Sequence, residues 1–165
     1  YYNNLLIDTK QLINSKVLGE KYISIHIRRG DYISNQSLFT SYFSKFSPVK
    51  FILLAHNLLP KESENMPIYL ISDDKKWANN LLTLLSARSR YRFFTIDSKN
   101  DLEDWAIIRH SSINICSNST FSYTAALLNY ENLDQKLRCI IPQWITNDIS
   151  AFENGWLKPK GFIEI

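Results

Sequence analysis

Four polar side chains surround a glycine near the start of the chain. His26, Arg28, Arg29 and Asp31 flank Gly30 in the segment YISIHIRRGDY. An arginine guanidinium is permanently charged and its planar fork matches phosphate oxygens, so two adjacent arginines can hold a diphosphate. The same residues could instead form a solvated turn with local ion pairs, because short motifs of this kind give many false positives. Taken alone, the segment indicates a candidate anion site.

Alternating isoleucines predict that this anion site follows a strand. Ile23, Ile25 and Ile27 alternate with other residues over Tyr22–Ile27, which is the pattern of a β-strand. In open α/β sheets, ligands bind beyond the carboxyl ends of the strands. The two arginines therefore stand where such a sheet would place a ligand.

Two aspartates follow a second predicted strand, Ile68–Ile71. Ser72 or Asp73 is expected to cap the helix that comes next. One carboxylate of Asp73 or Asp74 could accept both N1–H and N2–H of guanine. The pair could also simply favour the positive end of the helix dipole, or it could bind a divalent metal, as in receiver domains that accept a phosphoryl group.

Metal-dependent chemistry has weaker support in the sequence. A receiver-type site needs a further aspartate and a lysine at other strand ends; Asp97 ends the third predicted strand, but no lysine follows the fifth. Cys116 and Cys139 are not spaced with histidines as metal ligands are, and we predict two buried thiols in a reducing compartment. His56 lies on an apolar helix and is predicted to be a packed core histidine.

A third polar cluster follows the predicted strand Ile113–Cys116 and leads into a helix that ends near Leu128. The cluster consists of Asn118, Ser119, Thr120 and Ser122. Free N–H groups at a helix N-terminus favour phosphate, and nearby hydroxyl groups add donors. The same residues could also be an N-cap with nothing bound.

Strands alternate with helices along the chain, which predicts a Rossmann-like α/β fold with a parallel sheet flanked by helices. The predicted strands are Tyr22–Ile27, Ile68–Ile71, Tyr91–Ile96, Ile113–Cys116 and Arg138–Ile141. The predicted helices run over about 5–18, 49–59, 75–87 and 101–109, and a last helix follows the turn of residues 118–122 and ends at Leu128. In a parallel sheet the three polar clusters open on the same edge, and the tail from residue 143 is expected to pack back over the domain.

Composition describes an ordinary globular chain of 165 residues, 45% hydrophobic and 21% charged, which suits one domain over residues 1–165. The net charge of +3 fits an anionic small molecule better than a nucleic acid. No apolar run is long enough to cross a membrane. Because the chain begins at Tyr1 and its one methionine is Met66, we expect an N-terminal portion to be missing.

Three segments resemble motifs of the α-1,2-fucosyltransferases, glycosyltransferase family 11. YISIHIRRGDY resembles the HxRRxD signature, which α-1,6- and protein O-fucosyltransferases share. PIYLISDDKKW is similar to the strand and SDD segment of the family, and DWAIIRHSSINICSNSTFS resembles its D-x-x-L…NSxFS segment. Three motifs in the family's order, spread over most of the chain, are far more specific than any one of them.

The resemblance implies an inverting glycosyltransferase that moves L-fucose from GDP-fucose to a sugar hydroxyl of a glycan acceptor, in α-1,2 linkage on a galactoside. It implies no metal and no cofactor besides the donor substrate. The chain resembles the C-terminal, donor-binding half of a GT-B enzyme, in which two Rossmann-like domains face each other across a cleft. We expect it in the cytoplasm or peripheral on the cytoplasmic membrane face. A nucleotide-binding module without transfer activity of its own is the alternative.

The family's site residues carry over onto matching positions. Arg28 and Arg29 are implied to clamp the diphosphate and to offset the charge that develops on the β-phosphate. His26 is implied to line the donor pocket. Asp31 either orients an arginine or acts as a base toward the acceptor hydroxyl, and we favour the orienting role.

The two remaining motifs imply further donor contacts. Asp73 or Asp74 is implied to hold guanine. Ser119, Thr120 and Ser122 are implied to bind phosphate through hydroxyl and N–H groups, and Asn118 is implied to contact the donor.

The chain departs from the family at four positions. Tyr123 and Thr124 replace two tryptophans, and Ser111 and Ile113 replace a cysteine and a histidine. Because the donor motifs are intact, we expect these differences to affect the acceptor and the linkage more than the donor.

Overall fold

The computed structural model describes Ile13 and Ile33 and the ranges 21–30, 47–87, 89–129, 136–142 and 160–165. Ile13 is helical and buried, which agrees with the helix predicted over 5–18 at the one position described there. The prediction for Asp31 lies outside the described residues, as does most of the tail after residue 142.

Six parallel strands form one sheet. They are β1 (Ile23–Ile27), β2 (Ile68–Ser72), β3 (Phe93–Thr95), β4 (Ile113–Cys116), β5 (Cys139–Ile141) and β6 (Phe162–Glu164). Their order across the sheet is β3-β2-β1-β4-β5-β6, and every neighbouring pair is parallel. This is the order of dinucleotide-binding Rossmann folds, so the predicted fold class is confirmed. The edge strand β6 was not predicted, because the tail was expected only to pack over the domain.

Four α-helices and one short 3-10 helix (Lys61–Ser63) lie between the strands within the described ranges. The α-helices are α1 (Pro48–Leu58), α2 (Lys75–Ser86), α3 (Asp101–Arg109) and α4 (Thr120–Leu127). Ser47 caps α1 and Asn100 caps α3, each by accepting a first-turn N–H. Among these described helices, none has both the length and the apolar character that crossing a membrane requires.

The predicted cap of α2 was wrong. The carboxylate of Asp74, instead of Ser72 or Asp73, accepts the N–H of Trp77 at 2.9 Å. The Ser72 hydroxyl donates to the Ile27 carbonyl at 2.7 Å and so joins the ends of β1 and β2. Asp73 is engaged elsewhere, at the turn after β1.

The sheet buries side chains on both faces, as parallel sheets with helical crossovers do. Ile23, Ile25 and Ile27 pack with α1 and α2, whereas Tyr22 and Ile71 pack with α3 and α4. The central strands β1, β2 and β4 are therefore buried along their whole length. This burial fixes where their carboxyl ends emerge.

A buried polar cluster joins β1 to β4. Ser24 faces Asn114 in the register of the two strands, and its hydroxyl donates to the Asn114 side-chain oxygen at 2.6 Å. The Ser111 hydroxyl reaches the same oxygen at 2.7 Å. All three side chains are buried, and the Ser111 hydroxyl also lies within hydrogen-bond distance of the Ile108 carbonyl at 2.9 Å.

The two cysteines agree with the prediction of buried thiols. Cys116 and Cys139 are free and fully buried, with 3.6 Å between their sulfur atoms. Burial, together with the neighbouring thiol, raises the pKa of Cys139 well above its usual value. A thiol held in its protonated form at neutral pH is a poor nucleophile.

Ile25 tests the two-layer core. Ile25→Ala removes side-chain atoms from a fully buried position on the central strand, so we expect the free energy of unfolding to fall by about 2–5 kcal/mol. Urea denaturation measures the loss. Leu84→Ala, at a position that is 55% exposed on α2, is the matched control and should change stability by no more than about 0.5 kcal/mol. Equal losses in both variants would contradict this core.

Candidate functional site

The strand order reverses between β1 and β4, which is where open α/β sheets form a ligand crevice at their carboxyl edge. Two hydrogen bonds join the strand ends there. The Ser117 N–H donates to the His26 carbonyl at 2.8 Å, and the Arg28 N–H donates to the Ser117 hydroxyl at 3.0 Å. The sequence analysis missed Ser117, although it directly precedes the polar cluster that begins at Asn118.

The turn after β1 is held by Asp73. Its Oδ1 accepts the N–H of Arg29 and its Oδ2 accepts the N–H of Gly30, each at 2.8 Å. Arg28 Nε lies 3.2 Å from the same Oδ2. The predicted cluster after β1 and the predicted cluster after β2 are therefore in direct contact.

Both arginine side chains lie against the end of β2. Arg29 Nε lies 3.3 Å from Asp74 Oδ2, and its guanidinium stacks 4.3 Å above the Trp77 ring. The N–H of Trp77, with a smaller contribution from Arg29, lowers the pKa of Asp74. The Arg28 side chain is 39% exposed and that of Arg29 is 21% exposed, so both still reach solvent.

These contacts bear on the predicted guanine contact. The carboxylates of Asp73 and Asp74 already accept main-chain N–H groups and pair with arginines. Their role toward guanine stays a prediction, and the structure gives each of them another partner.

His26 is buried beside the crevice, 5.4 Å from the Phe121 ring between ring centres. Burial lowers its pKa to about 4; the Asp73 carboxylate opposes this shift and the Arg28 guanidinium adds to it. The imidazole is therefore neutral at pH 7. Its Nδ1 has no hydrogen-bond partner within the described residues, so a bound ligand could supply one.

The N-terminus of α4 lies beyond β4. Ser119 is the N-cap residue, but its side chain makes no capping hydrogen bond. It therefore does not accept a hydrogen bond from the first-turn N–H groups of α4. Thr120 is exposed and Asn118 is partly buried. Ser122 is buried and its hydroxyl donates to the Ser119 carbonyl at 3.4 Å, so it shapes the turn from inside.

A cavity of about 260 Å³ opens beyond the carboxyl ends of β2 and β3. Its polar lining comes from Ser72, Lys75, Asn79, Thr95, Asp97, Ser98 and Asp104. Lys75 Nζ donates to the Ser98 carbonyl at 3.1 Å and lies 3.7 Å from Asp97 Oδ1. Burial raises the pKa of Asp104. The sequence analysis missed Lys75 and Asp104, because their convergence depends on how α2 and α3 pack.

Three of the four family departures, Ser111, Ile113 and Tyr123, lie inside the protein. Ser111 belongs to the buried cluster with Ser24 and Asn114, and Tyr123 is buried with its ring edge-on to Phe162. They alter the packing beneath the site. Their expected effect on the acceptor stays a prediction, as does independence from metal ions.

The chain matches the model of glycosyl transferase family 11 over residues 9–158. It is 26% identical to an alpha-1,2-colitosyltransferase of Escherichia coli over 129 residues, which cover 78% of this chain and 43% of that protein. It is 32% identical to the O-antigen biosynthesis glycosyltransferase WbnK of Escherichia coli over 106 residues, covering 64% of this chain and 34% of that protein. The chain thus spans less than half of these relatives.

A solved structure shares the fold. The crystal structure of POFUT1 in complex with GDP matches 78% of this chain and 44% of its own, with a TM-score of 0.51 at 12% sequence identity. At that identity the likeness concerns the fold alone, and it agrees with the Rossmann-like sheet described above.

Acid should destabilise the fold between about pH 6.5 and pH 4. Burial lowers the pKa of His26 and of His56 from 6.5 to about 4, so the unfolded chain binds protons that the folded chain excludes. The stability is fully present above pH 6.5 and is lost as the pH falls toward 4. For fully buried His26, the complete shift corresponds to about 3 kcal/mol.

Urea unfolding of wild type and His26→Phe at about pH 7 and about pH 4.5 measures this contribution. Because the carboxylates contribute equally to both proteins, the difference between them isolates His26. His56→Phe should remove the other part. An unchanged pH dependence in His26→Phe would rule out a buried neutral imidazole at that position.

Proposed function

This chain belongs to glycosyltransferase family 11, and from that premise we propose that it binds GDP-fucose and takes part in inverting transfer of L-fucose to a sugar hydroxyl. The observation that supports this best is the position of Arg28 and Arg29. They follow the central strand at the point where the strand order reverses, and the Arg28 N–H donates to the hydroxyl of Ser117, which lies three residues before the first residue of α4. Permanent positive charge and free helix N–H groups suit a diphosphate.

The arginines can bind an anion while they remain paired with carboxylates. In both ion pairs the aspartate lies near Nε, the nitrogen closest to the aliphatic stem. A guanidinium has five N–H donors, so the far edge of the Arg29 fork can face phosphate oxygens. The aspartates then fix the direction of the arginines before the donor binds.

Negative charge grows on the diphosphate as the bond between the sugar and the β-phosphate breaks. Fixed donors placed where that charge develops lower the barrier, because they need no reorganisation during the reaction. Arg28, Arg29 and the first turn of α4 would do this while the acceptor hydroxyl attacks the opposite face of the sugar. GDP leaves, and the hydroxyl proton passes to a base, a role that the sequence leaves open for Asp31.

Because Asp73 and Asp74 already have partners, a second site for guanine is considered beside them. We propose that the cavity beyond β2 and β3 receives the base, with the half-buried carboxylate of Asp104 as acceptor for its N–H groups. The cavity volume of about 260 Å³ is just below the range of about 300–1,000 Å³ of drug-sized sites, so it suits a base and not a whole sugar nucleotide.

Colitose is a second candidate for the donor sugar. One Escherichia coli relative is named for colitose and for an α-1,2 linkage, and colitose lacks only the 3-hydroxyl group of fucose. A transfer assay therefore compares both GDP-linked sugars. We also propose that the acceptor is a glycan and that the whole protein has the GT-B architecture. Its proposed position is peripheral, at the cytoplasmic membrane face.

Arg28→Ala in the full-length protein tests the diphosphate clamp. Loss of a preorganised donor to the developing charge should lower kcat/KM for transfer by about 100-fold or more. Arg90→Ala is the matched control, because the Arg90 side chain is 68% exposed, pairs with Glu64 at 2.9 Å and lies over the Tyr91 ring, away from Arg28 and Arg29. Near-normal transfer by Arg28→Ala, or equal loss in both variants, would contradict the clamp. Binding of GDP without any transfer by wild type would instead favour the nucleotide-binding module.

Base preference tests the guanine site. Calorimetry with GDP, ADP and UDP should show that the full-length protein binds GDP most tightly. Asp104→Asn should reduce the preference for GDP about tenfold, because one hydrogen bond to a charged group contributes about that much to affinity. Asp101→Asn, at an exposed position in the first turn of α3, should keep it. Equal affinity for the three nucleotides in wild type would remove guanine recognition altogether.

A further inference from the structure

We propose that Asp73 is a positioning residue whose carboxylate shapes the turn that presents Arg28 and Arg29 to the donor diphosphate. This inference rests on the proposed function for the role of the arginines. It assigns Asp73 a different task from holding guanine, and the task is argued from contacts between the ends of β1 and β2.

The carboxylate binds the main chain with both oxygens. Oδ1 accepts the Arg29 N–H and Oδ2 accepts the Gly30 N–H, each at 2.8 Å. Two successive N–H groups that converge on one anion form the kind of concave site that backbone turns offer to anions. Asp73 occupies that site, and its charge strengthens both bonds.

Gly30 shows how closely the carboxylate approaches. A Cβ atom at this position would lie 2.8 Å from Asp73 Oδ2, closer than real side chains come. Among the described residues, the one glycine with positive φ is Gly161, so Gly30 has a backbone that any residue could adopt. A side chain at position 30 would therefore displace the Asp73 carboxylate, so the glycine leaves room for this contact.

The neighbours of Asp73 extend the same contact. Ile27 pairs with Ser72 in the strand register, and the Ser72 hydroxyl donates to the Ile27 carbonyl at 2.7 Å. One residue later Asp73 holds the turn, and Asp74 Oδ2 lies 3.3 Å from Arg29 Nε. The last residue of β2 and the two residues after it thus each contact the end of β1 or the residues that follow it.

An amide cannot replace this carboxylate. The side chain of asparagine accepts through one oxygen but presents N–H donors at the other position, where it would meet a main-chain N–H. Asp73→Asn should therefore lose at least one contact with the turn and release the arginines from their fixed direction. The effect should appear in binding of the β-phosphate and not in binding of the base.

The affinities of GDP and GMP for the full-length protein separate these roles. We expect Asp73→Asn to weaken GDP about tenfold or more, the equivalent of one charge-assisted hydrogen bond, and to leave GMP within about twofold. Glu62→Gln, at an exposed position, removes the same charge elsewhere and should change neither. Equal weakening of GDP and GMP would overturn the proposal, and loss of the preference for GDP over ADP would show that Asp73 contacts the base.

Gly30→Ala disrupts the contact between Asp73 and the turn by adding a Cβ atom next to the carboxylate. It should weaken GDP to a similar extent, and combining it with Asp73→Asn should add little, since both changes disrupt one interaction. Additive losses in the double variant would show two independent effects and overturn the proposal. This variant also covers the case in which Asp73→Asn fails to fold.

Hydrogen–deuterium exchange gives a readout that does not depend on nucleotide binding. The amides of Arg29 and Gly30 should exchange faster in Asp73→Asn than in wild type, while amides inside β1 stay protected. Failure of wild type to bind GDP would defeat the proposed function and leave this measurement valid. Unchanged exchange at Arg29 and Gly30 would defeat the positioning role itself.

Discussion

The carboxyl end of β1 is held from both sides, and the geometry of the site depends on it. Ser72 and Asp73 bind this end from β2, and Ser117 binds it from β4. A strand at the centre of a parallel sheet has its position set by burial, but the residues after it leave the sheet and need other partners. Here their main-chain groups find those partners in side chains that follow the two adjacent strands. Arg28 and Arg29 thereby become rigidly placed groups and not mobile surface charges.

Much of the fold could be predicted because its signals are local. The alternating isoleucines predict a strand over 22–27, and the structure has β1 over Ile23–Ile27. Strand order depends on pairing between segments far apart in sequence, and no local pattern encodes it. The edge strand β6 was not predicted, because three residues, two of them exposed, are too few to show an alternation of apolar and polar side chains.

The candidate site was predictable in its parts and not in its contacts. Three polar clusters were assigned to one sheet edge, and the parallel topology brings them there. The hydrogen bond from the Arg29 N–H to Asp73 joins residues 44 positions apart. The sequence alone therefore could not show that Asp74 caps α2 and that Asp73 holds the turn. Trp77 and Asp104 were missed for the same reason, since stacking and cavity lining arise only when helices pack.

The buried cluster of Ser24, Ser111 and Asn114 has a consequence for how β1 finds its alignment. Apolar strands can slide along one another at little cost, because one isoleucine packs much like the next. A shift of β1 by one residue would move Ile25 to the opposite face of the sheet. It would also leave the Ser24 hydroxyl and the Asn114 side-chain amide buried without hydrogen-bond partners. The cluster therefore disfavours a misaligned β1. The correct alignment in turn sets the position of Arg28 and Arg29, which follow this strand.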